Sequence, residues 1–255
     1  FDSLGRLGLD RRPGVGLDEQ GLPDIDWVEI PAGSFIYGVN KTIQTLELDR
    51  YYISRYPITN IQFQVFIDAG GYEIETLWRD IRHVAPTDGR WKVSNRPRES
   101  VSWFEAMAFC RWLSGACDRP VRLPTEQEWE KAAKGVDGRN FPWGGYYKKG
   151  IANVDERLIT KGLYNLDQTS TVGLYPQGAS QYGVFDIAGN LWEWCMNKFL
   201  EPTNYSVDIT YDDRVLRGGS WISAPGFTHS AYRNLGDPDG QNSDVGFRVL
   251  SSDPL

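Results

Sequence analysis

The segment RVLRGGSW, residues 214–221, places the firmest constraint on the fold. Its first half has the apolar character of a strand, and its two glycines, serine and tryptophan are typical of a fixed structural hinge. From residue 222 to 234 the chain continues as ISAPGFTHSAYRN, a run of small, polar and aromatic residues without helical or strand periodicity. The sequence therefore predicts a rigid turn followed by an irregular segment.

The composition of the whole chain is that of one globular domain. Its 255 residues, 40% apolar and 13% aromatic, can bury one large core, and nothing in them demands a second. The 10 Trp, 13 Tyr and 11 Phe predict a core built largely from aromatic rings. Residues 1–25 are rich in glycine and aperiodic, so we expect an arm or linker that packs only locally, followed by a single domain over residues 26–255.

The charge and the apolar pattern limit the partners. A net charge of −7 and a pI near 5.0 argue against nucleic acid and anionic membranes, which attract clustered Lys and Arg. No apolar run approaches the roughly 20 residues of a membrane span. Three cysteines, Cys110, Cys117 and Cys195, cannot all pair with one another, and reduced thiols are expected. We expect a soluble protein, with the cytoplasm favoured.

Short strands dominate the predicted structure at both ends of the chain. Residues Trp27–Ile30 and Ser34–Gly38 flank a Pro-Ala-Gly turn and predict a β-hairpin, with a third strand over Leu46–Tyr56. Near the other end, Arg214–Gly219 and Gly246–Ser251 predict a late strand pair that brackets the irregular segment.

Three helix starts carry one signature, a hydroxyl residue followed three positions later by Glu or Gln, which lets side chain and backbone cap each other. The pairs are Thr59 with Gln62, Ser102 with Glu105, and Thr125 with Glu128. The second helix is expected to bury one face over Trp103–Leu113, and Gly135 is a plausible end for the third. From Gly135 to Tyr205 no helical period follows, which predicts long and functionally important loops.

Seven motifs, in this order, resemble the formylglycine-generating enzyme or sulfatase-modifying factor domain family. They are WVEIPAGSFIYG, YPITNIQF, PVRLPTEQEWEKAAKG, FPWG, YGVFDIAGNLWEW, RVLRGGSW and VGFRV, spread from about Trp27 to Leu250. The resemblance implies an α+β, C-type-lectin-like fold with little regular secondary structure. Fold alone does not imply function.

The family's oxidase activity, as the resemblance implies it, depends on two cysteines after the GGS motif that bind copper. Those places hold Ser223 and Thr228 here, and a hydroxyl does not replace a thiolate for Cu(I) ligation or thiol redox chemistry. Related sulfoxide synthases use histidines of a separate helical domain, whereas this chain has His83 and His229 alone. We therefore predict no bound copper and a protein that is not an enzyme.

Two alternatives stay open. A formylglycine-type copper oxidase could have moved its cysteines, with Cys195 the one thiol near the motif. Because the chain begins at Phe1 rather than Met, it could also be an enzyme-derived regulatory domain of a longer protein.

Calcium is the cofactor that the resemblance suggests. In FDIAGNLWEW, the side chains of Asp186 and Glu193 flank the carbonyls of Gly189 and Leu191, and oxygen ligands suit Ca²⁺. The alternative is that both carboxylates hold the loop by bonding backbone amides, with Trp192 and Trp194 in the core. A second family site would use Asn153 and the Val154 carbonyl, completed from the loop over residues 163–168.

The 23 residues from 222 to 244 contain no Lys, Glu, Met or Trp. Domains of this family also serve as the variable proteins of diversity-generating retroelements, whose randomised Asn codons cannot encode those residues or Gln. Gln241 is therefore expected to be fixed or to come from another codon. The candidate variable and ligand-binding positions are Ile222, Ser223, Ala224, Gly226, Phe227, Thr228, Tyr232, Leu235, Gly236, Asp237, Asn242, Ser243 and Asp244. The alternative is a surface loop whose composition drifted.

The predicted function is therefore ligand binding by a displayed C-terminal surface, with a protein or other macromolecule as the partner. Phe227, Tyr232 and Leu235 would supply apolar contact, and Ser223, Thr228, Asp237 and Asn242 would supply hydrogen bonds, as in antibody paratopes. A buried Trp221, with Arg233 and Arg248, is expected to hold the backbone of this segment in place.

Overall fold

A computed structural model describes residues 1–157 and 165–253. Four α-helices are α1 (Asp2–Arg6), α2 (Asn60–Asp68), α3 (Trp103–Ala116) and α4 (Glu126–Lys134). The strands are β1 (Trp27–Ile30), β2 (Gly33–Tyr37), β3 (Gln44–Leu48), β4 (Tyr51–Ser54), β5 (Trp192–Lys198), β6 (Arg214–Arg217), β7 (Asn234–Gly236), β8 (Val245–Gly246) and β9 (Leu250–Ser251). This mixture of short helices and short strands, with long irregular stretches between them, confirms the α+β class with little regular secondary structure.

Three small sheets organise the described chain. Their strand orders are β1-β4-β9, β2-β3 and β7-β6-β5-β8. Strand β5 pairs in parallel with β8, and the other pairs are antiparallel. The four-stranded sheet contains the two ends of the irregular segment, since β6 precedes it and β8 follows it.

The predicted hairpin between the first two strands is wrong. Strand β1 pairs with β4, Trp27 opposite Ser54, whereas β2 pairs with β3, Gly33 opposite Leu48. The predicted third strand is divided into β3 and β4. Local patterns could not choose between these pairings, because the choice depends on burial: β1 and the fully buried β4 form a core with Trp129 of α4.

The two late segments exist as strands but do not pair with each other. Strand β6 lies between β5 and β7, while β8 pairs with β5 and β9 with β4. The chain between β8 and β9 bonds instead to the loop after β4, where the amides of Ser54 and Ile58 donate to the carbonyls of Val249 and Phe247. Because the backbones of both late segments are already bonded to other strands, the two segments do not pair with each other.

All three predicted helix starts are confirmed as capping boxes. In α3, for example, the Ser102 hydroxyl accepts from the Glu105 amide at 3.2 Å, and the Glu105 carboxylate accepts from the Ser102 amide at 2.8 Å. Helix α3 continues to Ala116, beyond the expected Leu113. Gly135 ends α4 with a φ of +72°, a conformation that favours glycine.

The N-terminal arm packs on the body of the protein, so the expectation of purely local packing is wrong. The Asn95 side chain donates to the carbonyl of Phe1 at 2.9 Å and to Asp10 at 2.7 Å. The Thr59 hydroxyl donates to the carbonyl of Val15 at 2.8 Å. Buried polar side chains of the body thus find their partners in the arm.

The core is aromatic, as predicted. A large cluster joins α2, α3 and the four-stranded sheet, and its fully buried rings include those of Phe63, Phe66, Trp103, Phe109 and Trp194. Cys110 and Cys195 are buried and Cys117 is exposed, and all three are free thiols.

Among the described residues, no helix has the length and apolar character needed to traverse a lipid bilayer.

Candidate functional site

A buried ionic cluster of Arg217, Glu126 and Glu130 packs between α4 and the irregular segment. Helix α4 buries the side chains of Glu126 and Glu130. Arg217, at the end of β6, donates from Nη2 to Glu130 at 2.5 Å and to the carbonyl of Ser230 at 2.6 Å. Burial of opposite charges is tolerable only when they are paired and hydrogen-bonded, so this arrangement fixes the position of the segment relative to α4.

The rest of the domain holds residues 222–244 through hydrogen bonds to the main chain of that segment. Backbone amides of Asp155, Trp103, Ser100 and Trp192 donate, in that order, to the carbonyls of Ser223, Pro238, Asn242 and Asp244, at 2.9, 3.0, 3.1 and 2.9 Å. Carbonyl acceptors are present whatever the side chain. The course of the segment is therefore anchored by bonds that its own side chains do not make.

Most candidate positions are accessible. Ile222 is 52% exposed, Phe227 38% and Leu235 47%. The exposed members are Ile222, Gly226, Phe227, Leu235, Asp237 and Asn242, and the half-buried ones are Ala224, Tyr232, Gly236, Ser243 and Asp244.

Ser223 and Thr228 are not accessible, and the expectation that their hydroxyls face a ligand is corrected. Ser223 is 7% exposed, and its hydroxyl accepts from the Ser220 amide at 3.0 Å. Thr228 is fully buried and donates to the Pro225 carbonyl at 2.7 Å. Both hydroxyls close local turns, since each satisfies a backbone group within three residues.

Two predicted anchors behave differently from one another. Trp221 is buried, as predicted, and its indole donates to the Ser243 carbonyl at 3.3 Å. Arg248, by contrast, bonds to Glu193 and to the carbonyls of Ser54 and Phe185, not to the segment. The expectation that Arg248 holds this backbone is wrong, because Arg248 lies between β8 and β9 and its side chain is directed toward Ser54 of β4 and Glu193 of β5.

An aromatic cluster underlies the exposed apolar positions. The rings of Phe227 and Tyr232 meet edge to face at 5.0 Å, and Trp192 lies 6.4 and 6.0 Å from them. The sequence did not indicate Trp192 as a site residue, because it was expected in the core. Trp192 is indeed buried, with 5% of its surface exposed. Trp91, which packs against Trp221 at 5.1 Å, was also missed, and no local signal marks it.

One titratable side chain of the segment is linked to the hinge. The Ser220 hydroxyl donates to Asp244 at 3.0 Å, and Ser220 and Ser223 share a hydroxyl contact of 3.1 Å. Burial raises the pKa of Asp244, and the bond from Ser220 partly opposes that effect. This hydrogen-bonded chain ties both ends of the segment together.

The first predicted calcium site does not fit calcium. Glu193 is fully buried, and its two oxygens accept from Arg248 at 2.6 and 2.7 Å and from the Trp129 indole at 2.7 Å. Asp186 accepts from the Gly173 amide at 2.6 Å, which agrees with the alternative of a loop-holding carboxylate. The Leu191 amide donates to the Gly189 carbonyl at 3.0 Å, so that oxygen is engaged too. A carboxylate already neutralised by Arg has little attraction for a cation.

The second predicted site retains free oxygens. The Asn153 amide donates to Gln168 and Asn190, while the hydroxyls of Thr169 and Ser170 are buried and have no hydrogen-bond partner among the described residues. Residues 163 and 164 of the predicted loop lie outside the described residues. In the described ranges, no three His, Cys, Asp or Glu side chains gather as a metal site, so any cation here would rely on neutral oxygens.

Comparison with known proteins identifies the family. Residues 17–252 match the sulfatase-modifying factor enzyme 1-like domain. The chain belongs to this family.

Several named relatives in the family are enzymes, and two are named inactive formylglycine-generating enzymes. The chain is 34% identical to hercynine oxygenase of Mycolicibacterium smegmatis, over 83% of this chain and 58% of that protein. It is 28% identical to formylglycine-generating enzyme of Thermomonospora curvata, over 89% and 93% of the two chains. The chain thus spans little more than half of the hercynine oxygenase.

The prediction that this chain is not an enzyme is contradicted by these names. It relied on Ser223 and Thr228 standing in place of two cysteines. That substitution bears on thiolate ligation of copper at two positions, and it does not extend to the other chemistries that the family performs.

A solved structure supports the fold assignment. Treponema denticola variable protein 1 superposes with a TM-score of 0.69 and 24% identity, covering 89% of this chain and 95% of that one. This likeness confirms the fold shared by the family and the variable proteins.

Cys195, the thiol considered for a displaced oxidase centre, lies in the hydrophobic core of the protein. It is fully buried in β5, and burial raises its pKa well above the ordinary value. A neutral, buried thiol is a poor nucleophile and metal ligand.

Proposed function

We propose that the chain binds a protein or another macromolecule through a recognition face formed by the exposed positions of the segment. We define this face as Ile222, Gly226, Phe227, Leu235, Asp237 and Asn242. The observation that carries the proposal is the anchoring of the segment through its main chain, which leaves these positions at the surface. Among their side chains, that of Asp237 also accepts from the Asp239 amide at 3.0 Å. Accessible loop residues on a rigid scaffold are the usual basis of recognition.

The chemistry of the face suits a macromolecular surface. Phe227 offers apolar area beside the Trp192 and Tyr232 rings, and Leu235 offers apolar area on the edge strand β7. Asp237 and Asn242 are the polar members of the face. Aromatic anchors with adaptable polar neighbours are typical of paratopes that bind proteins.

We further propose that the segment is diversified by a retroelement. Its lack of Lys, Glu, Met and Trp is the expected product of randomised Asn codons. Anchoring through carbonyl groups supports this proposal physically, because a backbone held in this way tolerates many side chains.

Sequencing the DNA around the gene tests diversification. We expect a nearby copy of the codons for residues 216–249 that differs at adenines and lies beside a reverse-transcriptase gene. A locus without such a copy would refute diversification and leave the binding proposal standing.

Site-specific photocrosslinking tests the recognition face itself. A photoreactive amino acid at position 227 or 235 is expected to capture the same partner from extracts of the source cells and their neighbours. Leu200, which is 88% exposed and lies outside the segment, is the matched control position. Capture of equal products from position 200, or of different products from 227 and 235, would count against the proposal.

Catalysis needs its own measurement, because the named relatives are enzymes. Oxidation of a cysteine-containing peptide in the presence of added copper is the direct assay for the formylglycine-type reaction. Turnover that survives replacement of Cys195 would assign the activity to another part of the chain.

We also propose that calcium, if the domain holds it, occupies the second site. Its oxygens would come from Asn153, the Val154 carbonyl and the unpartnered hydroxyls of Thr169 and Ser170. When bound there, the ion would stabilise the loops that support Ser223 through Asp155.

A further inference from the structure

A cavity of about 250 Å³, partly open to solvent, lies between the start of α2 and the loop before α3. Asn60 and Gln64 line it from the helix, and Asp88, Lys92, Ser94 and Arg98 line it from the loop. It shares no lining residue with the recognition face. Its volume suits a small ligand.

Arg98 is held rigidly at the wall of this cavity. Its amide donates to the Ile58 carbonyl at 2.7 Å. Its own carbonyl lies against Gly246, where a Cβ atom would approach to 2.4 Å. The guanidinium stacks over the Phe63 ring, with 4.9 Å between the guanidinium carbon and the ring centre. Backbone and side chain are thus fixed before any ligand arrives.

The charge of Arg98 is buried and incompletely satisfied. The side chain belongs to a residue that is 7% exposed, and its Nε has no hydrogen-bond partner in the described chain. Its Nη2 donates to the Thr87 carbonyl. The neighbouring carboxylates are engaged elsewhere: Asp88 with Lys92, and Glu99 with the Trp91 amide and the Ser100 hydroxyl.

We propose that this cavity binds a small oxyanion, the carboxylate or phosphate group of a small metabolite, with Arg98 as its principal donor and Lys92 at the rim. A buried cation without an anionic partner is costly, and an anion entering the cavity removes that cost. A planar guanidinium matches the geometry of carboxylate and phosphate oxygens. The Nε of Arg98 is shielded from solvent, whereas Nη1 lies 3.3 Å from the position of a Cβ atom at Gly89, which lines the cavity, so Nη1 is the donor that an anion would meet. Lys92 lies at the rim and is paired with the exposed Asp88 at 2.8 Å.

Titration with inorganic phosphate and with succinate, at constant ionic strength in chloride, tests the proposal. Amide resonances of Gly89 and Trp91 should shift saturably in the wild-type protein. Arg98→Met should weaken binding by about tenfold or more, since it removes a charge-assisted hydrogen bond. Arg90→Met is the matched control: Arg90 is an exposed arginine of the same loop that does not line the cavity.

If Arg98 had a purely structural role, the Tm of Arg98→Met in chloride would fall below that of the wild type. The binding role predicts no such fall. Methionine preserves the stem that covers Phe63 and removes the unpaired charge, so the Tm of Arg98→Met in chloride should stay close to that of the wild type. The rise in Tm that phosphate or succinate gives the wild type should then be lost in Arg98→Met and retained in Arg90→Met. If Arg98→Met does not fold, Arg98→Lys and Lys92→Met must each weaken binding severalfold. Absence of saturable shifts in the wild type, or undiminished binding in these variants, would overturn the proposal.

Discussion

Arg233 donates to both carboxylate oxygens of Glu126, from Nε at 2.5 Å and from Nη2 at 3.0 Å. It also donates to the carbonyl of Phe199 at 2.9 Å. Arg233 thus ties the middle of the segment to the first turn of α4, as the sequence predicted for an anchor of its backbone. Its partner Glu126 is fully buried, and Arg217 approaches it to 3.7 Å.

Replacing Arg233 should destabilise the fold. Arg233→Met leaves the buried Glu126 with a distant partner, and we expect the free energy of unfolding to fall by about 2–4 kcal/mol, discounted because Arg233 is partly exposed. Urea unfolding measures the loss, with Arg90→Met as the control. The double variant Glu126→Gln with Arg233→Met should lose less than the sum of the single changes. A loss below about 0.5 kcal/mol for Arg233→Met, the range of ordinary surface changes, would contradict the anchoring role.

Two glycines of the segment should respond oppositely to a methyl group. A Cβ at Gly226 would meet no atom within 4 Å, whereas a Cβ at Gly236 would come to 2.5 Å from the Trp194 ring. Gly236→Ala should therefore cost about 1–3 kcal/mol through overpacking. Gly226→Ala should be neutral within about 0.5 kcal/mol. Thermal and urea unfolding of the pair decide the matter, and equal stabilities would show that Gly236 can vary freely as well.

Local signatures in the sequence predicted local structure well. Thr59, Ser102 and Thr125 begin helices because a capping box is complete within four residues. Strand pairing was predicted poorly, since β1 finds its partner in β4 through contacts with α4 that no short segment contains.

In the candidate site, too, some features could be predicted from the sequence and others depended on the folded surroundings. Trp221 was predicted to be buried because a large ring beside a hinge needs a rigid surrounding, and it is buried. The burial of Ser223 and Thr228 depends on turn geometry that composition does not encode. Arg98 was invisible for a related reason: its missing partner is a property of the folded surroundings.

Acid should loosen the N-terminal arm. Asp10 is desolvated by burial, yet hydrogen bonds from Arg12 and Asn95 outweigh this effect and lower its pKa to about 2. Because the folded pKa lies below the ordinary value of 3.8, this carboxylate stabilises the fold above that value and loses the effect as pH falls through about 2. Asp10→Asn should cost about 2 kcal/mol at pH 7, as expected for lost bonds to a charged group. The gap between variant and wild type should narrow as pH falls below 3.8 and close only when pH falls below about 2. Hydrogen exchange of the arm and urea unfolding across this range measure it, and a gap that is constant with pH would contradict this role for Asp10.

Calcium should raise the Tm through the hydroxyls of Thr169 and Ser170 and not through Glu193, whose oxygens are bound by Arg248. At about 100 times its dissociation constant, a ligand adds about 2.7 kcal/mol to the free energy of unfolding. Thr169→Val and Ser170→Ala remove oxygens for which the described part of the chain offers no partner, so each variant should match the wild type in EDTA and lose most of the shift in calcium. Magnesium is the control ion, since its strict octahedral preference suits this set of neutral oxygens poorly. Equal calcium shifts in wild type and variants would place the ion elsewhere, and no shift in the wild type would refute a calcium site in these loops.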